Sequence, residues 1–497
     1  MSKGFIRYEQ KNGVDYASVY KAKRIDGKKA NEVEYLGRVV DKENGVFVSR
    51  ERGVFAFSLE HGYADPPTEI LPPEKERLIL DFGDAFLLHE ILIKSRLYDV
   101  IGQSFPDRTD TLLALLAHRI LDTVSASRYA MEWWEGSYAR FLYPKAALRS
   151  QRVSEFLNSL GEEARLRDFF HTYLSYIVGE GHNCGILVDS TGLPNDIRFP
   201  LTAVNNHNGL VSNEARLILV IDRRTGMPIY FRYAAGNIVD VTTLKTTLIE
   251  LEAYGVNVNY AIVDAGYYSE GNIRALQDAC IPFIVRLVPN RKLYKDLVAQ
   301  YAQSLEDAKY LVKYGQRLVF IRQVEINLFG KSGYAYIAVD MDRKHDEVRK
   351  YVLSALSNND HSDDEINDAI RKKGLFVLLS AEDVDTRDIL PLYYERQAIE
   401  QVFDFSKNNA DLLPLRSHSV ETFRGHLLLS FITSAVYLAA NKMLADTGDS
   451  ALGSFHLFRN LKCKVFDKSI AVQEANKRMI QVAKSLKSTI PLSLPLW

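Results

Sequence analysis

Cys184–Gly192 reads Cys-Gly-Ile-Leu-Val-Asp-Ser-Thr-Gly, an apolar strand-forming run that ends on an acid, Asp189. The arrangement recurs at Asn259–Ser269, Asn-Tyr-Ala-Ile-Val-Asp-Ala-Gly-Tyr-Tyr-Ser, where the acid is Asp264. Short runs rich in Ile and Val suit strands buried on both faces. Between them, Arg216–Tyr233 reads as two strands joined by a turn at Asp222–Gly226, and Val241–Gly255 as a helix that Gly255 closes. Beyond Asp264, Glu270–Ile281 reads as a second helix and Pro282–Val288 as a further strand.

The resulting order is strand, strand, strand, helix, strand, helix, strand. That is the order of a ribonuclease H-like α/β fold, whose sheet mixes antiparallel and parallel strands. Working outward, residues 184–288 and 374–425 form this expected core, with Gly374–Ser380 as a returning buried strand and a long helix from Thr386 past Lys407. Residues 289–373 read as a β-rich insertion domain. Upstream, residues 1–63 alternate and are rich in Val and Tyr, giving a small β-rich domain. The proline-rich stretch Ala64–Glu76 marks a linker, and residues 77–180 show helical periodicity. Residues 426–497 read as a helical C-terminal region.

The chain has 497 residues, more than one core usually supports, with 47% hydrophobic and 25% charged residues. Neither a signal peptide nor a membrane span is expected, which places the protein in the cytoplasm. Cys184, Cys280 and Cys463 lie far apart, which argues against a zinc ribbon or a disulfide framework. The net charge is −1, yet Met1–Ala30 holds eight Lys/Arg against three acids, and Arg459–Lys487 eight against two. Basic ends suit phosphate contacts, although each segment alone also suits an ordinary solvated face.

Phosphodiester chemistry uses two divalent ions about 3.5 to 4 Å apart, held by carboxylate oxygens. Two acids from neighbouring strands and a third from a helix meet that need. Asp189 and Asp264 supply the first two, although an Asp after a strand also serves as a helix cap or a phosphoacceptor. The third is Glu400. On one helix at 100° per residue, Tyr393, Arg396, Glu400 and Lys407 fall within an arc of about 60°, beside an apolar side carrying Ile399, Val402 and Phe403. Arg396 and Lys407 then meet phosphates. The plainer reading is an i, i+4 surface pair between Arg396 and Glu400, worth about 0.3 to 0.5 kcal/mol.

Tyr393-x2-Arg396-x3-Glu400-x6-Lys407 resembles the Tyr-Arg-Glu-Lys signature of bacterial insertion-sequence transposases of the insertion sequence four group. Val188–Gly192, Ala234–Asp240 and Val263–Ile273 resemble the other blocks of that family, in the same order. The resemblance implies DNA transposition, with two Mg²⁺ or Mn²⁺ ions at Asp189, Asp264 and Glu400. It also implies Tyr393, Arg396 and Lys407 as contacts to DNA phosphates. Partners implied are double-stranded DNA, both terminal inverted repeats and target, and a second copy of the chain in a homodimer on paired ends.

Asp240 is read as the N-cap of the following helix, and Asp196 and Asp222 as turn residues. Phe329–Ser332 lacks the upstream glycine of a phosphate-binding loop, so no nucleotide cofactor is expected. His182, His207, His418 and His426 have no zinc-like spacing. Trp133 and Trp134 are expected to pack within the helices. Two rivals remain: a transposase descendant that binds ends without cutting, and a phosphatase using Asp189 as covalent nucleophile.

Overall fold

A computed structural model describes the chain apart from residues 1–3, 12–13, 26–27, 50, 66–75, 124–125, 180–182, 196–199, 208–209, 239, 359–362, 409–411, 414, 416 and 496–497. Asp196, His182 and most of the proline-rich linker lie outside the described residues. Two compact units emerge. The first comprises Met1–Leu78 with Lys464–Ala471 and Ser493–Trp497, the second Ile79–Cys463 with Val472–Leu492.

The first unit holds a six-stranded antiparallel meander, Phe5–Lys11, Val14–Ile25, Lys28–Asp41, Val46–Ser49, Gly53–Ser58 and Gly62–Ala64, paired in chain order. Its buried face carries Ala17, Val19, Leu36, Phe47, Phe55 and Phe57. Period-two alternation accounts for this one-sided core.

The second unit is an α/β body built on one mixed sheet. Its strands run in the order Pro228–Ala235, Leu210–Asp222, Asn183–Pro194, Asn257–Val263, Phe283–Arg286, Leu375–Ser380, Lys331–Asp340, Arg317–Leu328 and Leu311–Tyr314. Asn257–Val263 pairs in parallel with both Asn183–Pro194 and Phe283–Arg286, whereas Leu210–Asp222 is antiparallel to its neighbours. The expected insertion domain differs from this arrangement. Its strands Arg317–Leu328 and Lys331–Asp340 extend the same sheet, because Lys331–Asp340 pairs with Leu375–Ser380. Phe329–Ser332 is simply the turn and first residues of that hairpin.

Helices Gly83–Lys94, Thr109–Leu121, Ser150–Leu160 and Glu163–Ile177 belong to this unit, as does the 25-residue Val420–Leu444. Ser419 caps that last helix by accepting from the Thr422 N–H at 3.1 Å. Its length and composition would suffice to cross a membrane, but 72% of its apolar window is buried inside the protein. Apolar residues all round it match its contacts with several helices and with the strand Pro228–Ala235. Where it crosses the end of Ser150–Leu160, glycines allow the backbones to touch: a Cβ on Gly425 would lie 1.9 Å from the Leu157 carbonyl oxygen, and one on Gly161 1.7 Å from that of Glu421. Trp134 donates from Nε1 to the Tyr143 carbonyl at 3.2 Å, and Trp133 packs edge-on against His118.

Two further expectations give way. The helical reading of the C-terminal region missed the short strands Lys462–Val465, Ser469–Val472 and Ser493–Pro495, too brief for their alternation to stand out. Asp240 opens a 3-10 turn, and the α-helix Leu244–Ala253 starts later, with Thr243 at the cap position.

Candidate active site

The two strand acids are aligned by register. Leu187 pairs with Ile262 and Val188 with Val263 in the parallel ladder, so the next residues, Asp189 and Asp264, stand at one level on adjacent strands. Asp264 directly follows its strand, at the cap position of the 3-10 turn Ala265–Tyr267. Asp189 does not end its own. The strand runs on to Pro194, paired with Leu210–Asp222 on its other side. The parallel partner stops at Val263, so the parallel pairing ends one residue before Asp189.

The helix expected to run unbroken from Thr386 past Lys407 is two helices, Ile389–Tyr394 and Gln397–Asn408, interrupted at Glu395 and Arg396. Tyr393, Arg396, Glu400 and Lys407 therefore do not share one continuous helical stripe. Glu395 takes part in a tertiary ion pair instead. Arg223, in the Asp222–Gly226 turn, donates to its carboxylate at 2.5 and 3.1 Å and lies over the Tyr260 ring. Sequence reading missed both Arg223 and Glu395, which stand 172 positions apart; adjacency to Arg396 was the only signal.

The interruption points Arg396 into the acids. Its guanidinium donates to Asp189 and makes longer ion pairs with Asp264 at 3.4 Å and Glu400 at 3.7 Å. All three expected acids thus meet one cation. Their exposure is graded: the side chains are 14% exposed at Asp189, 37% at Asp264 and 56% at Glu400. Tyr393 is buried, and its hydroxyl donates to Asp264 at 3.2 Å. Lys407 donates to the Thr191 hydroxyl at 2.5 Å, two residues beyond Asp189. Both turn inward in this conformation.

Burial opposes the charge on Arg396, but Tyr393, Asp189, Asp264 and Glu400 more than offset it, holding its pKa above the usual value. Burial, then the Asp264 charge, pushes the Tyr393 hydroxyl up. Burial lowers Lys407 against the opposing pull of Asp404 and Glu214. Glu214 is itself buried, with its carboxylate against Gly192.

Among the described residues, no three His, Cys, Asp or Glu side chains are close enough to hold an ion as they stand. The guanidinium parts them. It is a loose fit there, since two of its three ion pairs are long and its buried Nε has no hydrogen-bond partner among the described residues. Three carboxylates converging on one cation are the donor set that hard divalent ions take, so the residues fit such ions.

Of the remaining candidates, Asp222 is a turn residue, accepting from the Thr225 N–H at 3.0 Å before Gly226, whose φ is +61°. Cys184 and Cys463 are buried free thiols, and Cys280 is an exposed one. His426 lies against Arg119 and the Leu412 carbonyl oxygen, away from any cluster of ligands among the described residues.

Comparison with known proteins bears on these residues. Among solved structures, the cryo-EM structure of a piggyBac transposase synaptic complex with hairpin DNA is similar at 11% identity and a TM-score of 0.40, over 75% of this chain and 77% of that one. That likeness is too slight to argue from. No curated protein matches. Residues 180–435, more than half the chain and a span that includes Asp189, Asp264 and Glu400, match the family described as Transposase DDE domain. Proteins of that family generally work with divalent metal ions. The chain is a member of the transposase DDE domain family.

Proposed function

We propose that the chain cuts DNA at the ends of an insertion sequence and joins those ends to target DNA, with Asp189, Asp264 and Glu400 as its catalytic carboxylates. The observation that carries this reading is their convergence on Arg396 from two register-aligned strands and a helix. On this reading the mixed sheet is a ribonuclease H-like core. The finer family placement is the insertion sequence four group, on the strength of Tyr393, Arg396, Glu400 and Lys407 in their spacing.

The three carboxylates would hold two Mg²⁺ or Mn²⁺ ions, which when bound activate the attacking oxygen and stabilise the leaving one. The chain's own residues do the rest. Arg396 offsets part of the acids' charge in the resting conformation and, once they take up other cations, turns its planar fork to a DNA phosphate. Lys407 offers a point charge to the backbone nearby. Tyr393 holds Asp264 through its hydroxyl and, buried as it is, would have to turn outward to meet the same phosphate. Hydrolysis adds water across one phosphodiester and frees a 3′-hydroxyl; strand transfer then makes one phosphodiester as it breaks another, so no nucleotide is consumed. Double-stranded DNA is the substrate, at the terminal inverted repeats and at the target, and two copies acting as a homodimer would bring paired ends together.

A plasmid excision assay tests the reading. Excision is expected to stop on chelation of divalent ions, to return with Mg²⁺ or Mn²⁺, and to fall about 10³-fold in Glu400→Gln. Equal excision by wild type and Glu400→Gln would rule out this site.

A further inference from the structure

We infer that the solvent face of the N-terminal sheet binds single-stranded DNA, an inference that rests on the reading of the chain as a DNA-cutting enzyme. The meander buries one face, and its other face is unusually aromatic. Strand alternation and register bring Phe5 opposite Tyr20, and Ser18 opposite Tyr35, on the side away from the Ala17, Val19 and Leu36 core. Phe5 and Tyr35 are 55% and 61% exposed. Phe5 stacks on Tyr20 with centroids 5.3 Å apart, and Tyr16 on Tyr35 at 6.5 Å.

Cations are interleaved with these rings. Arg7 lies over Tyr20 at 5.9 Å, Lys11 follows two alternations on, and Arg38 pairs in register with Tyr16. The acid among them, Glu9, is shared between Arg7 at 3.3 Å and Lys11 at 3.8 Å, which leaves this face positive. Tyr16, Tyr20 and Tyr35 line one concavity of ≈ 500 Å³ on the sheet surface together with Arg7, Lys11 and Glu9, and Phe5 reaches it through its stack on Tyr20.

The charge is complementary to a phosphate backbone, and the rings to base faces. Bases inside a duplex already stack on one another, so exposed rings gain most from a strand whose bases are unpaired. Tyr and Arg also suit a protein interface, whereas Lys11 and Glu9 do not, so a second copy of the chain is the occupant that the test must separate from DNA. Strands parted at a cut DNA end supply such unpaired bases.

The test uses the full chain and a labelled oligo-dT probe of about 12 nucleotides, with a duplex of equal length in parallel. The double variant Phe5→Ala/Tyr35→Ala is expected to bind oligo-dT about tenfold more weakly or worse, with duplex binding and the denaturation midpoint unchanged. Phe5→Tyr/Tyr35→Phe is expected to keep binding, because it keeps the rings. Equal binding by wild type and the alanine variant overturns the inference. So does an equal loss on duplex, a preference for oligo-U over oligo-dT, or loss of self-association in the variant. The underlying reading fails separately: Glu400→Gln leaves oligo-dT binding intact, and only undiminished excision by that variant would overturn it.

Discussion

Asp189→Asn is expected to abolish excision, by about 10³-fold, and to destabilise the second unit as well. The two losses have different origins. Asp189 is the most buried of the three acids and the closest partner of Arg396, whose own side chain is 14% exposed. An amide there leaves a largely buried guanidinium with only its two longer ion pairs, to Asp264 and Glu400. Removing one partner of a buried pair costs about 3 to 5 kcal/mol, and the surviving partners reduce this to about 2 kcal/mol. Glu400→Gln serves as the contrast. Its side chain is 56% exposed and lies 3.7 Å from the guanidinium, so its stability is expected to stay within about 0.5 kcal/mol of wild type. Denaturant titrations at unchanged slope, run beside excision assays, separate the two variants. Equal stability of Asp189→Asn and wild type would mean that Arg396 does not depend on Asp189.

Gly425→Ala is expected to destabilise the second unit by about 2 kcal/mol, although alanine is the better helix former by about 1 kcal/mol. The new methyl would sit 1.9 Å from the Leu157 carbonyl oxygen, a backbone atom that cannot swing aside. Gly161 faces the same crossing, and its N–H lies 3.1 Å from the Gly425 Cβ position. The Gly161→Ala/Gly425→Ala double variant should therefore lose less than the sum of the two, because one separation of the helices relieves both clashes. Chemical denaturation of the three variants checks this, and a stabilised Gly425→Ala would show that the helices are not in backbone contact.

Much of the candidate site was legible because two of its acids each follow a short apolar strand. Ile186–Asp189 and Ala261–Asp264 look alike in sequence, and the parallel register sets them side by side. Glu400 was legible through its spacing from Arg396, and the turn at Asp222–Gly226 through its composition. The break at Glu395 was not. Apolar residues keep a helical period across it, and the residue at the break, Glu395, pairs with Arg223, far away in the chain. Local pattern cannot report a tertiary ion pair. For the same reason Lys331–Asp340 looked like part of a separate domain, since only its pairing with Leu375–Ser380 makes it part of the main sheet. Tyr393 was expected as a contact to DNA phosphates, yet in the folded chain its ring is buried and its hydroxyl donates to Asp264.

The most direct measurement is anomalous scattering from crystals of the full chain grown with Mn²⁺ and a cut DNA end. Manganese peaks are expected within coordination distance of Asp189, Asp264 and Glu400, with the Arg396 guanidinium withdrawn from among them toward a phosphate. Manganese bound elsewhere, with Arg396 still bridging the three carboxylates beside a correctly seated DNA end, would contradict the account.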